Sequence, residues 1–404
     1  MRPFRALRPA SGQAAAVAAP PYDVLNTAEA RQRAANRPAS FLHISKPEID
    51  LPQGTDPYAP AVYAKGAENL QRLIRTGILS RDAEAHYYIY RLRMGEHIQT
   101  GIAGVGSVRE YDRNRIRKHE FTRPDKEDDR VRQITALNAQ TGPVLLAYRS
   151  NAELQHLMER QTVAPPACEV TADDGVTHTI WVVTDRDSIA AITRAFNSME
   201  ALYIADGHHR SASASRVAAA RKAGPDTDAN YFLCVAFPHD EMQIFDYNRV
   251  VRDLNGLSPE TLLAQLGQAF VTTPAEAEVR PVRPGQFGMY LAGKWYRLDI
   301  DPKLIPDDPV TSLDVSLLQE HLLAPVLGIG DPRRDKRIDF VGGIRGLGEL
   351  KRRVDSGEMA VAFSLFPTSL EALMRVADAN QVMPPKSTWF EPKLADGLLS
   401  HILD

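Results

Sequence analysis

Residues 204–214 read IADGHHRSASA and bring a carboxylate, a glycine, two imidazoles and a guanidinium together at one point of the chain. The apolar run before them predicts a buried strand over 201–205, and the small residues after them predict a helix over 207–220. The first turn of a helix attracts anions, and an arginine fork fits phosphate or carboxylate. The sequence therefore predicts a strand-to-helix turn that binds phosphate, with Asp206 as the helix N-cap.

Each side chain of this turn has an expected role. Asp206 and His209 are candidate catalytic residues, and Asp206 is also the candidate metal ligand. Ser213 follows His209 by four residues, so the two share a helix face. A capped helix with surface histidines is one alternative. A metal site of two histidines is another, although adjacent side chains diverge on a helix. The candidate ligands of a phosphoryl donor at this turn are Gly207, His208, Arg210 and Ser213.

A second polar segment, RNRIRKHEFTRPDKEDDR, precedes a predicted helix that begins after Pro124. His119 and Glu120 mix an imidazole and a carboxylate among cations, which suits an acid/base group near a polyanion. Glu120 is therefore a third candidate catalytic residue, and Arg117 and Lys126 are candidate ligands of the donor phosphates. For residues 125–132 alone, a solvated charged helix face is the alternative.

Two further segments contribute candidates. MPPKSTWFEPK, at 383–393, sets a lysine beside two hydroxyls, as phosphate sites do, but no glycine-rich loop precedes it and it is not a Walker A motif. APPYDVLN, at 19–26, carries a phenol and a carboxylate near a short strand-like segment. The candidates are Lys386, Ser387 and Thr388 for the donor, and Tyr22, Asp23 and His119 for the substrate.

Strand and helix patterns alternate between these motifs and predict an α/β fold of mixed α+β type. A helix follows an Asn26 or Thr27 cap, a strand is expected at FLHISKPEI (41–49), and a hairpin turns at Gly95-Glu96. Residues 252–285 are the expected domain boundary. We therefore expect one domain at 1–255, with the HEFT and DGHHR motifs, and another at 256–404, with PPKSTWFEPK.

Bulk composition describes a globular chain without special partners. Of its 404 residues 44% are hydrophobic and 25% are charged, and the formal net charge of −3 gives no basic character suited to nucleic acid. The two cysteines, Cys168 and Cys234, are too few for a disulfide framework. The sequence has no apolar run long enough for a membrane helix and no signal-peptide core. These features predict a cytoplasmic protein.

The motifs in combination resemble one known family. PPYDVLN, FLHISKPEIDLP, RKHEFTRPDKEDDR, YIADGHHRSASA, DFVGG and MPPKSTWFEPK together resemble the DUF1015 family of bacterial and archaeal proteins, over about residues 1–400. The Asp-Gly-His-His-Arg element is also similar to that of ParB/sulfiredoxin-like folds, in which it ends a strand and starts a phosphate-holding helix. The resemblance implies a ParB/sulfiredoxin-like core with large N- and C-terminal additions.

Free-serine kinases of that superfamily carry a similar Asp-Gly-x-His-Arg element, preceded by a His-Glu pair whose glutamate is the proposed base. The resemblance implies a phosphotransferase that moves a phosphoryl group from ATP, ADP or pyrophosphate to free L-serine, with Glu120 as base. Mg²⁺, which Asp206 could hold, is the expected cofactor because it commonly neutralises charge in phosphoryl-transfer sites. The expected partners are the substrate and the donor, without membrane or nucleic acid. The sequence leaves a homodimer open.

Two other functions remain open from the sequence. A ParB-like nucleotide-binding switch or DNA-binding regulator would show the same phosphate turn, but no helix-turn-helix pattern follows the motif. A non-catalytic small-molecule sensor would keep the pocket as well. Phosphoryl transfer makes one further demand, because base, phosphate site and cations must meet. We therefore expect Glu120, Asp206–Arg210 and Lys386–Thr388 to line one cleft.

Overall fold

The computed structural model describes residues 1–404, and strands and helices alternate along most of the chain, which confirms the mixed α/β fold. The strands are β1 Ala6–Pro9, β2 Leu79–Arg81, β3 Tyr87–Met94, β4 His97–Ser107, β5 Ile116–Arg117, β6 Ala139–Gln140, β7 Val144–Tyr148, β8 Cys168–Thr171, β9 Thr177–Val183, β10 Leu202–Asp206, β11 Tyr231–Pro238, β12 Gln243–Phe245, β13 Tyr247–Val251, β14 Phe270–Ala275, β15 Gln286–Leu291, β16 Lys294–Ile300, β17 Ile338–Gly342, β18 Val361–Leu365, β19 Trp389–Glu391 and β20 Ser400–Ile402.

The α-helices are α1 Ala14–Val17, α2 Thr27–Ala34, α3 Leu42–Ser45, α4 Pro60–Arg75, α5 Val108–Asp112, α6 Pro124–Leu137, α7 Ala152–Gln161, α8 Arg186–Ser198, α9 His208–Ala220, α10 Pro259–Leu266, α11 Asp314–Leu318, α12 Gly346–Asp355 and α13 Leu370–Asp378. A π-helical turn, Gln319–Leu323, continues α11, and short 3₁₀ helices lie at Tyr22–Val24, Pro47–Asp50, Asp228–Asn230, His239–Glu241, Pro302–Leu304 and Gly343–Arg345. None of these helices combines the length and hydrophobicity needed to cross a bilayer.

The chain forms two compact units. The first unit contains Met1–Met242 and Pro392–Asp404, and the second unit contains Gln243–Glu391. This division differs from the expected 1–255 and 256–404 in two respects. Strand β13 pairs with β17 and β18 and so belongs to the second unit, whereas β20 pairs with β1 and β6 in the first. Pairing between strands that are far apart in the sequence leaves no local signal, so composition alone could not locate the division between the two units.

An eight-stranded sheet forms the centre of the first unit, in the order β5-β10-β7-β11-β4-β3-β9-β8. Its aliphatic and aromatic side chains are buried, as Ile89, Leu146 and Ile204 illustrate. Strand β10 runs parallel to β5 and antiparallel to β7, and its register shifts between Ile204 and Asp206. The sheet thus becomes irregular where the polar turn begins.

A second sheet of the first unit has the order β2-β1-β20-β6 and is antiparallel. Helices α4 and α6 pack against one another, and α6 also packs on α9. The face of α9 is made of small residues, among them the buried Ala214 and Ser213. Small side chains let α9 lie close to its neighbours, and this places the start of α9 beside α6.

The second unit is built on an antiparallel sheet in the order β14-β16-β15-β18-β13-β17, with β12 and β19 forming a separate ribbon. Val250, Tyr290 and Leu350 lie in its core. Strands β15 and β16 form a hairpin within this sheet.

Local sequence signals located most elements but failed at residues 41–49. The Asn26 cap of α2 is present as a capping box with Glu29, and the hairpin of β3 and β4 turns at Gly95-Glu96. The expected strand FLHISKPEI is instead the short helix α3 and a 3₁₀ turn. A short apolar run without clear periodicity fits a buried helix as well as a strand, and the Phe41 amide donates to the Val17 carbonyl rather than to a sheet.

Candidate functional site

The strand-to-helix turn is held by Gly207. This residue is the N-cap of α9 in the left-handed conformation, with φ 96° and ψ 27°, a region that favours glycine. The prediction of Asp206 as N-cap is wrong, because its Oδ1 accepts a hydrogen bond from the neighbouring Gly207 amide at 2.8 Å. Gly207 itself has no side chain that could cap the helix. The first-turn amides of α9 therefore suit an anion from outside the helix.

Two cations meet the Asp206 carboxylate. Lys393 Nζ lies 3.3 Å from Oδ2, and the Arg210 guanidinium lies 3.8 Å from the same oxygen. Burial alone would raise the pKa of Asp206, but Lys393 and Arg210 hold it well below its ordinary value. The side chain therefore stays ionised and carries a fixed negative charge beside the turn.

Arg210 joins distant parts of the chain. Its side chain is 11% exposed, donates to the Pro143 carbonyl, and approaches Asp23 Oδ2 at 3.5 Å. Burial opposes its charge, but Asp206 and Asp23 raise the pKa of the guanidinium, which stays protonated. Arg210 thus stands between two carboxylates, one predicted for catalysis and one predicted for substrate binding.

A cavity of about 30 Å³ lies beside Arg210 and has room for one or two waters. Tyr22, Arg130 and Asp396 contribute to its wall. The Arg130 guanidinium stacks over the Tyr22 ring at 3.8 Å. Burial raises the pKa of Asp396 to about 7, and the nearby Arg210 opposes that shift. Asp396 is therefore a buried carboxyl that keeps its proton up to about neutral pH.

Two buried histidines stack at the other side of the turn. The rings of His119 and His208 pack edge to face with centroids 4.5 Å apart. Burial lowers the pKa of His119 to about 4 and that of His208 well below its ordinary value. Glu120 Oε2 lies 3.8 Å from His208 Nδ1, and the Glu120 side chain is 49% exposed. The structure thus brings Glu120 to the DGHHR turn, with neutral imidazoles beside it.

His209 and Ser213 lie on α9 beside the N-terminal part of α6. His209 Nε2 accepts a hydrogen bond from the Arg123 amide at 3.0 Å, and burial lowers the pKa of this half-buried ring. The Ser213 hydroxyl donates to the Glu127 carbonyl at 3.1 Å, and its side chain is fully buried. Ser213 therefore stabilises helix packing, and we remove it from the expected donor site.

The predicted cations of the second motif contact protein groups. Arg117 pairs with Glu200 at 2.9 Å and lies over the Tyr203 ring at 5.8 Å. The Lys126 ammonium donates to the Tyr58 hydroxyl at 2.9 Å. These contacts hold both cations in folded surroundings, and their role toward a donor stays a prediction.

The Lys386–Thr388 segment belongs to the second unit. Lys386 has a left-handed φ of 59°, and its ammonium lies 5.6 Å from the centre of the Tyr247 ring. The Ser387 hydroxyl donates to the Pro384 carbonyl at 2.6 Å, and Thr388 directly precedes β19. The shared cleft of these residues with Glu120 and Arg210 stays a prediction.

The sequence analysis missed three residues near the turn, namely Lys393, Arg130 and Asp396. Lys393 is the last residue of MPPKSTWFEPK, and the lysine predicted to act in that motif was Lys386 rather than Lys393. Arg130 lies in a run of charged residues that is typical of a solvated helix face. Asp396 follows Leu394 and Ala395 and forms no polar motif in the sequence. Only the return of the final segment to the first unit brings Lys393 and Asp396 to the turn.

A family model described as a protein of unknown function, DUF1015, matches residues 1–316. The chain belongs to the DUF1015 family. The DUF1015 resemblance expected from the motifs is thereby confirmed. No curated protein matches the sequence.

Solved structures show a limited likeness to this DUF1015 protein. A free serine kinase in complex with AMP is 13% identical with a TM-score of 0.38, covering 73% of this chain and 92% of that one. SbnI with a C-terminal truncation, from Staphylococcus aureus, is 12% identical with a TM-score of 0.41, covering 74% and 87%. A conserved hypothetical protein from Pyrococcus furiosus is 14% identical with a TM-score of 0.38, covering 74% and 95%. Likeness at this level does not determine an activity.

Proposed function

We propose that this DUF1015 protein is a small-molecule kinase that phosphorylates the hydroxyl of free L-serine. One observation carries the proposal: the Glu120 carboxylate, the start of α9 and the Asp206, Arg210 and Lys393 charges are gathered at one turn of the first unit. Phosphoryl transfer needs positioning and electrostatic stabilisation more than covalent help from the protein. A base, an anion site and fixed charges are the groups that such a reaction requires.

Glu120 is the proposed base. Its carboxylate is half exposed and can therefore meet an acceptor hydroxyl, while its neighbour His208 is neutral and does not hold it as an ion pair. General-base assistance requires hydrogen-bond reach to the hydroxyl rather than a covalent bond. The half-buried, neutral His209 would hydrogen-bond a phosphate oxygen instead of adding charge.

The charges around Arg210 suit a zwitterionic acceptor. Free serine carries an ammonium and a carboxylate. Negative and positive side chains alternate around the turn, in the order Asp23, Arg210, Asp206 and Lys393. Asp23 is 43% exposed, so it can reach an ammonium group while still close to Arg210. Arginine and lysine then offer donors to the serine carboxylate or to the donor phosphates.

The residues around Asp206 do not fit a bound Mg²⁺. Lys393 and Arg210 already contact its carboxylate, and its Oδ1 accepts the Gly207 amide. Mg²⁺ needs oxygen ligands in near-octahedral order and is commonly held by carboxylates together with phosphate oxygens. We therefore derive no step from a metal at Asp206, and assign neutralisation of phosphate charge to the cationic side chains.

Mass spectrometry tests the proposal directly. The full-length protein is incubated with L-serine and, in separate reactions, ATP, ADP or pyrophosphate in a buffer containing Mg²⁺, and phosphoserine is measured. We expect phosphoserine with at least one donor. Glu120→Gln should keep the fold and donor binding and lose turnover by roughly 10²–10⁴-fold.

Glu153→Gln is the matched control, because Glu153 is an exposed carboxylate in the first turn of α7. It should leave turnover unchanged. Donor binding without phosphoserine would instead support a nucleotide-dependent switch or sensor. Full activity in Glu120→Gln would remove Glu120 from the mechanism.

A further inference from the structure

Three metal-binding side chains converge beside the DGHHR turn. His119, Glu120 and His208 each offer one ligand atom, and these atoms lie within 4.8 Å of one another. The two histidines are buried and packed, whereas the Glu120 side chain is half exposed. The cluster joins the loop before α6 to the start of α9.

His119 presents an unsatisfied ring nitrogen. Its Nδ1 is buried without a hydrogen-bond partner. A buried polar atom without a partner is costly. An imidazole that donates through one nitrogen to a backbone carbonyl and leaves the other for a metal is the usual arrangement of a ligating histidine.

His208 can change partners at small cost. The His119 amide approaches its Nε2 at 3.5 Å, the long limit of a hydrogen bond, and its Nδ1 faces Glu120 at 3.8 Å. Neither contact is strong, so either ring nitrogen can turn to an ion. The neutral imidazole is the form that binds metals.

We propose that His119, Glu120 and His208 bind a zinc ion. Two imidazoles and one carboxylate are a ligand set that zinc accepts while keeping an open position, whereas Mg²⁺ prefers oxygen ligands alone. The site differs from the Mg²⁺ site expected at Asp206 and does not rest on the kinase proposal. Zinc on Glu120 would occupy the carboxylate that the kinase proposal assigns to the acceptor hydroxyl. A zinc-bound protein would then be an inactive kinase.

Binding is measured without serine or phosphoryl donor. Full-length protein is stripped with a chelating resin, titrated with Co²⁺ while visible absorption is recorded, and then titrated with Zn²⁺ by calorimetry. We expect one Co²⁺ per chain with the intense bands of a low-coordinate site, displaced by Zn²⁺ and not by excess Mg²⁺. Weak absorption, or no saturable binding by the unaltered protein, would overturn the proposal.

Variants locate the ion. His119→Phe keeps an aromatic edge against His208 and should lower zinc affinity by more than about 100-fold, since even outer partners of a ligand cost about 10–100-fold. Glu120→Ala removes a half-exposed group, so it tests the site even if His119→Phe folds poorly. His209→Gln and His156→Gln are controls, because they alter a neighbouring and an exposed imidazole outside the cluster. Unchanged affinity in Glu120→Ala would place the ion elsewhere.

The kinase and zinc proposals can fail separately. Phosphoserine formation without saturable Co²⁺ binding would overturn the zinc site alone. Cluster-dependent zinc binding without phosphoserine for any donor would leave the zinc site and count against the kinase. If both hold, added Zn²⁺ should inhibit the kinase and chelator should restore it.

Discussion

At the scale of the residue, Arg210 is a buried guanidinium placed between two carboxylates. It is 11% exposed and contacts Asp23, Asp206 and the Pro143 carbonyl. Arg210→Ala should weaken binding of the phosphoryl donor or of serine by about 1.5–3 kcal/mol, the scale of a charge-assisted hydrogen bond. Calorimetry with each ligand measures the change. Arg216→Ala, on the same helix but paired with Glu127 and Asp128, should bind both ligands normally. Equal affinities in the Arg210 and Arg216 variants would show that Arg210 only stabilises the fold.

Asp396 gives a second test at this scale. Burial raises its pKa from 3.8 to about 7, so the folded protein holds this proton more tightly than the unfolded chain does. The stability that Asp396 contributes is complete below about pH 4 and is lost as the pH rises through 7. The asparagine of Asp396→Asn does not titrate. The stability of this variant relative to the unaltered protein should therefore rise as the pH increases from about 5 to about 8.

Urea unfolding at both pH values measures that gain. Each unit of pKa shift is worth about 1.4 kcal/mol, so an effect of a few kcal/mol is the upper limit. Asp185→Asn is a control that should show no change between these pH values, since hydrogen bonds from Ser188 lower the pKa of that exposed carboxylate and keep it ionised throughout. A stability difference for Asp396→Asn that is the same at both pH values would contradict the assignment.

At the scale of the element, the turn between β10 and α9 depends on Gly207. A Cβ at this position would meet Arg210 at 3.2 Å and the Val144 backbone at 3.3 Å, and the φ of 96° already disfavours other residues. Gly207→Ala should therefore lower the unfolding free energy and displace Arg210. Gly175 is the matched control, because its φ is 84° but no atom lies within 4 Å of its added Cβ.

Both glycine variants carry the backbone cost of about 1–2 kcal/mol, and only Gly207→Ala adds the contact. We expect Gly207→Ala to be the less stable of the two in urea unfolding and to lose ligand binding. Equal losses of stability in the two variants would show that the close contact relaxes freely.

Elements with strong local signals could be predicted from the sequence, and the candidate site only in part. The Asn26 cap, the Gly95-Glu96 turn and the β10–α9 junction follow from short patterns of residue type. The prediction of a strand at 41–49 was wrong because the apolar residues of this segment fit the periodicity of a helix as well as that of a strand. Lys393 and Asp396 could not be assigned, since their approach to the turn depends on pairing across most of the chain.

At the scale of the whole molecule, buried histidines should make the protein sensitive to acid. Burial lowers the pKa values of His119, His178 and His401 to about 4, and it lowers that of His208 well below its ordinary value. As the pH falls below about 6.5, the unfolded chain takes up these protons and the folded protein does not, so stability is lost. Asp396, Asp314 and Glu241, whose pKa values burial raises, act in the opposite direction, but these carboxyls are fewer than the four histidines.

The unfolding free energy should therefore be smaller at pH 5 than at pH 7. Chemical denaturation at both values measures the difference. His178→Asn should reduce it, whereas His156→Gln, at an exposed position, should not. A protein equally stable at the two pH values would show that these histidines are hydrated or that other groups compensate for them.

The pairing of β1 with β20 sets Leu7 opposite Ser400 and Ala6 opposite His401. On a ribosome, the first of these strands emerges long before its partner is translated, and local contacts form before distant ones. Until then both β1 and β6 expose an unpaired edge, a surface that chaperones bind and that aggregates readily. The ammonium of Lys393 also reaches Asp206 only with this final segment. A nascent chain that stalls after the second unit would therefore carry an incomplete charge cluster at the DGHHR turn.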